Sequence, residues 1–301
     1  MKNEIKYYYN LNAVEIHQID KKYKFKTINK TFILCPYKKH YDEIQEIYKL
    51  HNYVRMIGQY CHKIILNKNN EIITFINKIP YVLLQIEIEN RYINEIDIYN
   101  ISKIRIDSNI LKKNKRNSWY NLWQKKIDYI EYQINQFGKQ YPIIRESSDY
   151  YIGIVENCIS LLSSINEDNT YKTLQHERVG KKNKTEDFFN PLNFIIDHRC
   201  RDIAEYFKKN NIFDLDIENI LYRIIKQNKY NMEETKLLFI RLIYPSNYID
   251  MCENILEKKE IEEKIIEIIK NTYNYEKYLK KIYNFFSTII PLQDIEWLKK
   301  D

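Results

Sequence analysis

The spacing of apolar residues changes near Asp107, from short alternating runs to helical periodicity. Before that residue, β-rich runs separated by turns predict strands at 23–28, 31–36, 63–66, 72–77 and 82–88. One stretch in this half, residues 41–56, has its apolar side chains on a single helical face and predicts an amphipathic helix. The tetrad 67–70 (NKNN) predicts a hairpin turn, because Asn tolerates left-handed backbone.

After Asp107 the apolar spacing is helical almost throughout. The predicted helices are 119–137, 150–164, 199–209, 217–226, 232–242, 247–256, 260–286 and 294–299, and strand-like runs at 171–174 and 193–196 are the exception. The pattern therefore predicts an α+β chain with two lobes. A β-rich N-terminal lobe, residues 1–106, is expected to be a small antiparallel sheet with one helix, and residues 107–301 a larger, mainly helical C-terminal lobe. This is the outline of the protein-kinase-like bilobal fold.

The segment 171–202 is arranged like a phosphotransferase catalytic loop whose central acid is missing. His176, Asn183 and Asp197 stand where such a loop has its histidine, its metal-binding asparagine and its metal-binding aspartate. Arg178 occupies the position of the base, and a guanidinium group cannot accept a proton. Glu177 is one position away, but neighbouring loop residues point in different directions, so it is a weak substitute. No catalytic residue is expected in this degenerate loop.

Two interpretations of Asp197 are open at this point. It follows the apolar run FII, so it stands at a strand end where a metal ligand could point into a cleft. It could equally cap the helix predicted to begin near Arg199, a position that Asp favours. Under the first interpretation, Asn183 and Asp197 would be the residues of a residual nucleotide cleft and the ligands of a Mg²⁺ ion.

The other parts of a phosphate site are absent from the N-terminal half. The strand TFILCPY has Cys35 where a phosphate-holding lysine is expected, and the flanking Lys30 and Lys38 have no inward direction by strand alternation. No glycine occurs between Tyr9 and Thr31, so a Gly-rich phosphate loop is missing. No cofactor is therefore expected, and ATP with Mg²⁺ would be needed only if the chain were an active kinase.

Several other residues have a structural interpretation. Without a strand lysine to orient, Glu43 and Glu46 are expected to lie on the solvated face of the helix. Trp119 and Trp123 are four apart on a predicted helix, so they are expected to pack in the core, with a ligand wall as the alternative. His198 is interpreted as a local hydrogen-bond partner.

Charge and cysteine content narrow the function classes. The chain has 48 basic and 41 acidic residues and a net charge of +7. Two basic clusters, Lys112, Lys113, Lys115 and Arg116, then Lys181, Lys182 and Lys184, are interpreted as solvated loop charge, with an anionic polymer as the alternative partner. No specific nucleic-acid binding is expected.

The five cysteines form no CxxC pair, which favours a reducing compartment and excludes a zinc site of that type.

No targeting or membrane segment is predicted. The N-terminus has neither the apolar core nor the cleavage site of a signal peptide. No window approaches the roughly 20 uninterrupted apolar residues that a membrane helix requires. A cytoplasmic protein that does not contact membranes is therefore expected.

Six sequence blocks together resemble the spore-coat branch of the aminoglycoside- and choline-kinase-like proteins of endospore-forming Firmicutes. The blocks are YKLHNYVRMIGQ, WYNLWQKKIDYIE, DYYIGIVENCI, QHERVG, FIIDHRCRDIAEYF and RLIYPSNYIDMCENIL, in this order over nearly the whole chain. The block with Asp197 and Asp202 is the most specific. It resembles the sequence motif that, in active relatives, contains the metal-binding aspartate and a second, structural aspartate. The resemblance implies a kinase-like fold and a role in the spore coat.

Two hypotheses of function follow. The first is a noncatalytic scaffold or interaction module of the coat, made in the mother-cell cytoplasm, later part of the spore coat, and with other coat proteins as partners. The second is an active, ATP-dependent phosphotransferase that modifies a small hydroxyl or amino compound, with Glu177 or another carboxylate as the base.

Overall fold

The computed structural model of the chain describes residues 1–19, 21–88, 90–106, 118–166, 169–179, 183–211 and 216–299. The predicted basic cluster at Lys112, Lys113, Lys115 and Arg116 lies outside these residues, as do Lys181 and Lys182.

The first half of the chain forms a sheet with three helices. Its elements are α1 (Lys2–Tyr9), β1 (Glu15–Ile19), β2 (Lys22–Lys26), β3 (Thr31–Pro36), α2 (Tyr41–Met56), β4 (Lys63–Ile65), β5 (Thr74–Ile76), β6 (Ile79–Ile86) and α3 (Glu95–Ser102). The predicted bounds of β3 and α2 are confirmed. Helices α1 and α3 and strand β1 were not predicted.

The second half is mainly helical. Its elements are α4 (Trp119–Phe137), α5 (Pro142–Ser163), β7 (Lys172–His176), α6 (Thr185–Phe188), a 3₁₀ turn (Pro191–Asn193), β8 (Phe194–His198), α7 (Arg201–Asn211), α8 (Ile217–Asn228), α9 (Met232–Ile243), α10 (Ser246–Leu256), α11 (Ile266–Lys270), α12 (Thr272–Ser287) and α13 (Glu296–Lys299). The bounds of α4 are those predicted. The single helix predicted over 260–286 is wrong, because a 3₁₀ turn, α11 and α12 follow one another there.

The chain divides into two compact units. Unit 1 contains the described residues of Met1–Lys115 and Lys172–Asp197, and unit 2 those of Arg116–Tyr171 and His198–Asp301. The β7 and β8 segment, which the sequence pattern assigned to the helical lobe, therefore packs with the N-terminal sheet.

The sheet of unit 1 is antiparallel and has the strand order β1-β2-β3-β6-β4, with β5 also paired to β6. Its two faces are covered by different helices. Helix α1 packs Ile5 and Tyr9 against one face, on which Phe32 and Leu34 lie. Helix α2 packs Ile44 and Ile47 against the other face, the α2 face, where Ile33 and Cys35 lie. Because strand side chains alternate, β3 thus contributes to two separate apolar clusters.

The turn at residues 67–70 was predicted correctly, but the hairpin pairing was wrong. The Asn67 side-chain oxygen accepts hydrogen bonds from the main-chain N–H groups of Asn69 (2.9 Å) and Glu71 (3.0 Å), and Asn70 has a positive φ of 61°. Strands β4 and β5 do not pair with each other, since both pair with β6. The tight hairpin is instead at Asn77 and Lys78, between β5 and β6, where both residues have positive φ.

Unit 2 has a core that includes both tryptophans of α4, so the core interpretation of these residues is confirmed. Trp119 and Trp123 are 1% and 5% exposed and stack on each other with ring centroids 5.3 Å apart. Trp119 also contacts the edge of the His198 ring, and Trp123 stacks on Tyr244 at 4.0 Å. None of the helices in the described ranges combines the length and the apolar character that crossing a membrane requires.

Candidate functional site

His176 at the end of β7 is a buried structural residue. Strands β7 and β8 form a two-stranded sheet, and the Glu177 N–H donates to the Asn193 carbonyl oxygen at 2.9 Å, just beyond β7. His176 is 1% exposed, its Nε2 lies 2.7 Å from the Phe188 carbonyl oxygen, and its ring stacks on the Phe188 ring at 4.0 Å. The histidine therefore ties β7 to α6.

The two residues after His176 offer no free general base. The Glu177 carboxylate accepts a hydrogen bond from Lys39 Nζ at 2.5 Å, which makes it one half of an ion pair. Arg178 donates from Nη1 to the carbonyl oxygen of Glu177 at 3.0 Å. Both side chains therefore have hydrogen-bond partners within the chain.

Asn183 uses its side chain to close the loop. Its Nδ2 donates to the Arg178 carbonyl oxygen at 3.2 Å, and its own carbonyl oxygen accepts from the Ile93 N–H at 3.1 Å. Both contacts are of the kind that fixes loop backbone.

Asp197 lies within β8 and is fully buried. The helix that follows begins at Arg201, and the residue before it is Cys200, whose carbonyl oxygen accepts from the Ala204 N–H at 3.0 Å. Asp197 is thus three residues before the N-cap position of α7, so the helix-capping interpretation is wrong. The sequence predicted that Asp197 stands at the end of a buried strand. It is the fourth of the five residues of β8, all of which are buried.

Cys35 faces the apolar cluster under α2. It is 3% exposed, and burial raises the pKa of its thiol to about 12. Lys30 and Lys38, the lysines that flank β3, are exposed. Glu43 and Glu46 of α2, predicted to lie on the solvated face of the helix, are partly exposed and partly buried. A lysine at position 35 would project toward the same α2 face as Cys35 does.

Residues 184–193, here called the covering segment, pack against that α2 face. Leu192 belongs to the same cluster as Ile33 and Cys35 and is 8% exposed. The local sequence explains the bend that brings it there, because Asn190 caps the 3₁₀ turn by accepting from the Leu192 N–H at 2.9 Å and Pro191 follows at its first position. The 3₁₀ turn therefore places Leu192 in the apolar cluster on the side of the sheet to which a lysine at position 35 would project.

Polar contacts hold the covering segment in place. The His62 N–H donates to the Phe189 carbonyl oxygen at 2.8 Å, and its Nε2 lies 3.1 Å from the Glu186 carbonyl oxygen. Burial lowers the pKa of His62. Lys39 Nζ adds a hydrogen bond to the Leu192 carbonyl oxygen at 3.3 Å.

Two lysines of β2 pair with carboxylates of the covering segment. Lys22 Nζ donates to Asp187 Oδ1 at 2.8 Å, and Lys24 Nζ donates to Glu186 Oε2. Partial burial acts to lower the pKa of Lys22, but the hydrogen bond to Asp187 and the charge interactions outweigh it, so the pKa is raised.

The sequence did not point to Lys22, Lys24, Lys39 or Leu192 as part of the site. The sequence did contain a signal for the two β2 lysines. They are two positions apart, so both project from one face of a strand. No comparable signal exists for Leu192, because the other buried residues of its cluster are all more than 100 positions away in the sequence.

The side chains predicted for a Mg²⁺–nucleotide site, or next to it, have partners within the chain. Glu177 is paired with Lys39, Asn183 holds the loop backbone, and Leu192 shares a buried cluster with Cys35. Within the described part of the chain, no three His, Cys, Asp or Glu side chains are grouped so that they could hold a metal ion.

The comparisons with known proteins agree with the sequence resemblance. The sequence profile of the family described as "Spore coat putative kinase YutH" matches residues 2–282. The endospore coat-associated protein YutH of Bacillus subtilis (strain 168) is 23% identical over an alignment that covers 100% of this chain and 98% of that protein.

Solved structures confirm the predicted kinase-like fold. The aminoglycoside phosphotransferase of Alicyclobacillus acidocaldarius superimposes with a TM-score of 0.68 at 8% identity and covers 93% of each chain. The choline kinase of Streptococcus pneumoniae superimposes with a TM-score of 0.54 at 10% identity, over 95% of this chain and 97% of that one. The fold is thus that of the aminoglycoside phosphotransferases, and by its sequence match the chain belongs to the YutH family of kinase-like spore coat proteins.

Proposed function

We propose that this chain is a noncatalytic member of its family and acts as a scaffold or interaction module in spore coat assembly. The observation that carries the proposal is the covering segment, whose Leu192 lies in the same buried cluster as Cys35 and whose Asp187 and Glu186 pair with Lys22 and Lys24. Phosphoryl transfer depends on holding the phosphates and neutralising their charge. Lysines that are paired with the chain's own carboxylates do not neutralise phosphate charge in this arrangement.

The residues around the base position support the same proposal. Arg178 cannot accept a proton, and Glu177 is paired with Lys39. We infer that the partners are other coat proteins and that the protein is made in the mother-cell cytoplasm before it joins the coat. Both inferences rest on the family to which the chain belongs.

A thermal-shift experiment tests the proposal. The wild-type chain and the variants Asn183→Ala and Asp197→Ala are heated with ATP in the presence and absence of Mg²⁺. A ligand at a hundred times its Kd stabilises a protein by about 2.7 kcal/mol, which for a chain of this size raises Tm by roughly 5 °C or more. We expect no Mg²⁺-dependent rise for any of the three proteins.

The outcome that contradicts the proposal is a Mg²⁺-dependent rise in the wild type that both substitutions remove. A spectinomycin phosphotransferase measured in parallel serves as the positive control, since one has been crystallised with ADP. ATP turnover by the wild type that is lost in Glu177→Gln would contradict the proposal as well.

The second candidate is a small-molecule phosphotransferase. The observation that favours it is the buried Asp197 in β8, in the same two-stranded sheet as His176. The solved structures with this fold include phosphotransferases for aminoglycosides and for choline. Under this candidate, the chain would transfer phosphate from ATP to an amino or hydroxyl compound, and turnover would depend on Asp197.

A further inference from the structure

Lys22 stands opposite Cys35 on the α2 face of the sheet. In the register of β2 and β3, Tyr23 pairs with Leu34 and Lys24 with Ile33, which places Lys22 across from Cys35. Directly opposed residues share a face. Lys22 and Lys24 therefore project to the side that a lysine at position 35 would reach.

The groups that these two lysines bind are anions supplied by the covering segment. Asp187 binds Lys22 and Glu186 binds Lys24, so two ammonium groups and two carboxylates alternate over a short distance. The Lys22 and Asp187 side chains are 41% and 53% exposed. An ion pair with this exposure contributes little to stability, so another anion can displace Asp187.

We propose that Lys22 and Lys24 form a binding site for a polyphosphate chain, and that Glu186 and Asp187 occupy this site in the structure. The two cations stand on β2, beside the β3 position from which the phosphate-holding lysine is missing. Phosphate oxygens accept the same charge-assisted hydrogen bonds from ammonium groups as the two carboxylates do. A polyphosphate has more negative charge than one carboxylate, and it can contact both lysines at once.

The test measures the binding of inorganic tripolyphosphate by titration calorimetry at low salt and in EDTA. The wild-type chain is compared with Glu186→Gln/Asp187→Asn, which removes both negative charges and keeps the side-chain shapes. We expect the double variant to bind tripolyphosphate at least tenfold more tightly. Adding Lys22→Met and Lys24→Met should return the affinity to the wild-type level or below it.

Matched controls come from the same hairpin. Glu15→Gln removes an exposed carboxylate of β1, and Lys26→Met removes an exposed lysine of β2. Neither should change the affinity by more than about twofold, because Lys22 and Lys24 are paired with Asp187 and Glu186 and not with these two residues. An equal gain in Glu15→Gln would overturn the inference, since it would then be an effect of net charge.

Two other results would overturn the inference. One is an unchanged affinity in Glu186→Gln/Asp187→Asn, and the other is a gain that survives the loss of both lysines. Should the double variant fail to fold, Asp187→Asn alone decides, since Asp187 is on the surface. We expect this single variant to bind tripolyphosphate about threefold more tightly, and an unchanged affinity would overturn the inference.

A parallel titration with ATP identifies the source of the phosphate chain. An equal gain for ATP and tripolyphosphate supports recognition of the phosphates, and a gain with ATP alone overturns it. The inference and the proposed function both involve the covering segment. Their tests are separate, because the titration contains no Mg²⁺ and does not measure turnover. Failure of the polyphosphate site would therefore leave the thermal-shift result unaffected, and the reverse also holds.

Discussion

Several side chains at the candidate site have structural partners in place of catalytic ones. His176 holds α6, Lys39 pairs with Glu177, and the Asn183 side chain binds loop backbone. The sequence alone placed Arg178 at the position expected for the base, because it follows His176 at the spacing of such a loop. It could not show the pairing of Glu177 with Lys39, since the two residues are 138 positions apart.

His51 of α2 makes stability depend on pH. Its Nε2 accepts a hydrogen bond from the Ile64 N–H at 3.2 Å, and burial lowers its pKa from 6.5 to about 4. The folded chain thus binds fewer protons than the unfolded chain below pH 6.5. We expect the free energy of unfolding to fall between pH 6.5 and 4, by up to about 3 kcal/mol from this residue.

Urea unfolding at pH 7, 6 and 5 measures this effect. His51→Gln is the matched control, because Gln can accept the Ile64 hydrogen bond and does not titrate. The variant should lose less stability than the wild type over this range. The buried His62 remains in both proteins and cancels in the comparison. Equal slopes for the two proteins would show that His51 is not the group responsible.

At the scale of elements, the covering segment is the feature on which the proposed function rests. Its apolar contribution is testable through Leu192, which is 8% exposed within the cluster of the α2 face. Leu192→Ala should lower the free energy of unfolding by about 2–4 kcal/mol, since it removes buried methyl groups and leaves a cavity.

Chemical denaturation followed by circular dichroism measures this loss. Ile28→Ala is the control, because Ile28 is 92% exposed and its truncation should change stability by less than about 0.5 kcal/mol. A similar small change for Leu192→Ala would mean that the covering segment does not pack against the sheet in solution.

Elements with strong periodicity were predicted to the residue. Helices α2 and α4 bury a regular stripe of apolar side chains, which includes Ile44, Ile47, Trp119 and Trp123. Strand β1 was missed because four of its five residues are exposed, so it lacks the alternation that identifies a strand. The break near Asn271 was missed because the apolar spacing continues across it. Short elements such as α6 have no period to detect.

At the scale of the whole molecule, the five cysteines share one kind of environment. All five are free and buried. Burial raises the pKa of Cys35, Cys61 and Cys252 to about 12, so these thiols stay protonated at neutral pH. Since the thiolate is the reactive form, the folded chain should react very slowly with a thiol reagent at pH 8.

Thiol labelling with an aromatic disulfide reagent tests this prediction. We expect less than one thiol to react per native chain over an hour, and five to react after unfolding in guanidinium chloride. Rapid modification of one or more thiols in the native chain would show that a cysteine is accessible. Cys35→Ser would then reveal whether the α2 face opens.

The family and the fold could be predicted from the sequence because six blocks keep their order along the chain. The assignment of residues 172–197 to unit 1 could not be predicted, since it depends on contacts between distant segments. The resemblance to active kinases implied a cleft at this place. The position of Leu192 in one cluster with Cys35 depends on how residues 184–191 bend, and periodicity contains no information on that.

The covering segment is joined to the sheet by the polypeptide itself, and this has a consequence for competition inside the cell. A tethered group behaves as though it were present at an effective concentration in the millimolar range or above. A dissolved metabolite at similar abundance would gain no advantage over it by mass action alone. Only an anion that exceeds this effective concentration, or that contacts both lysines at once, should therefore displace Asp187 and Glu186.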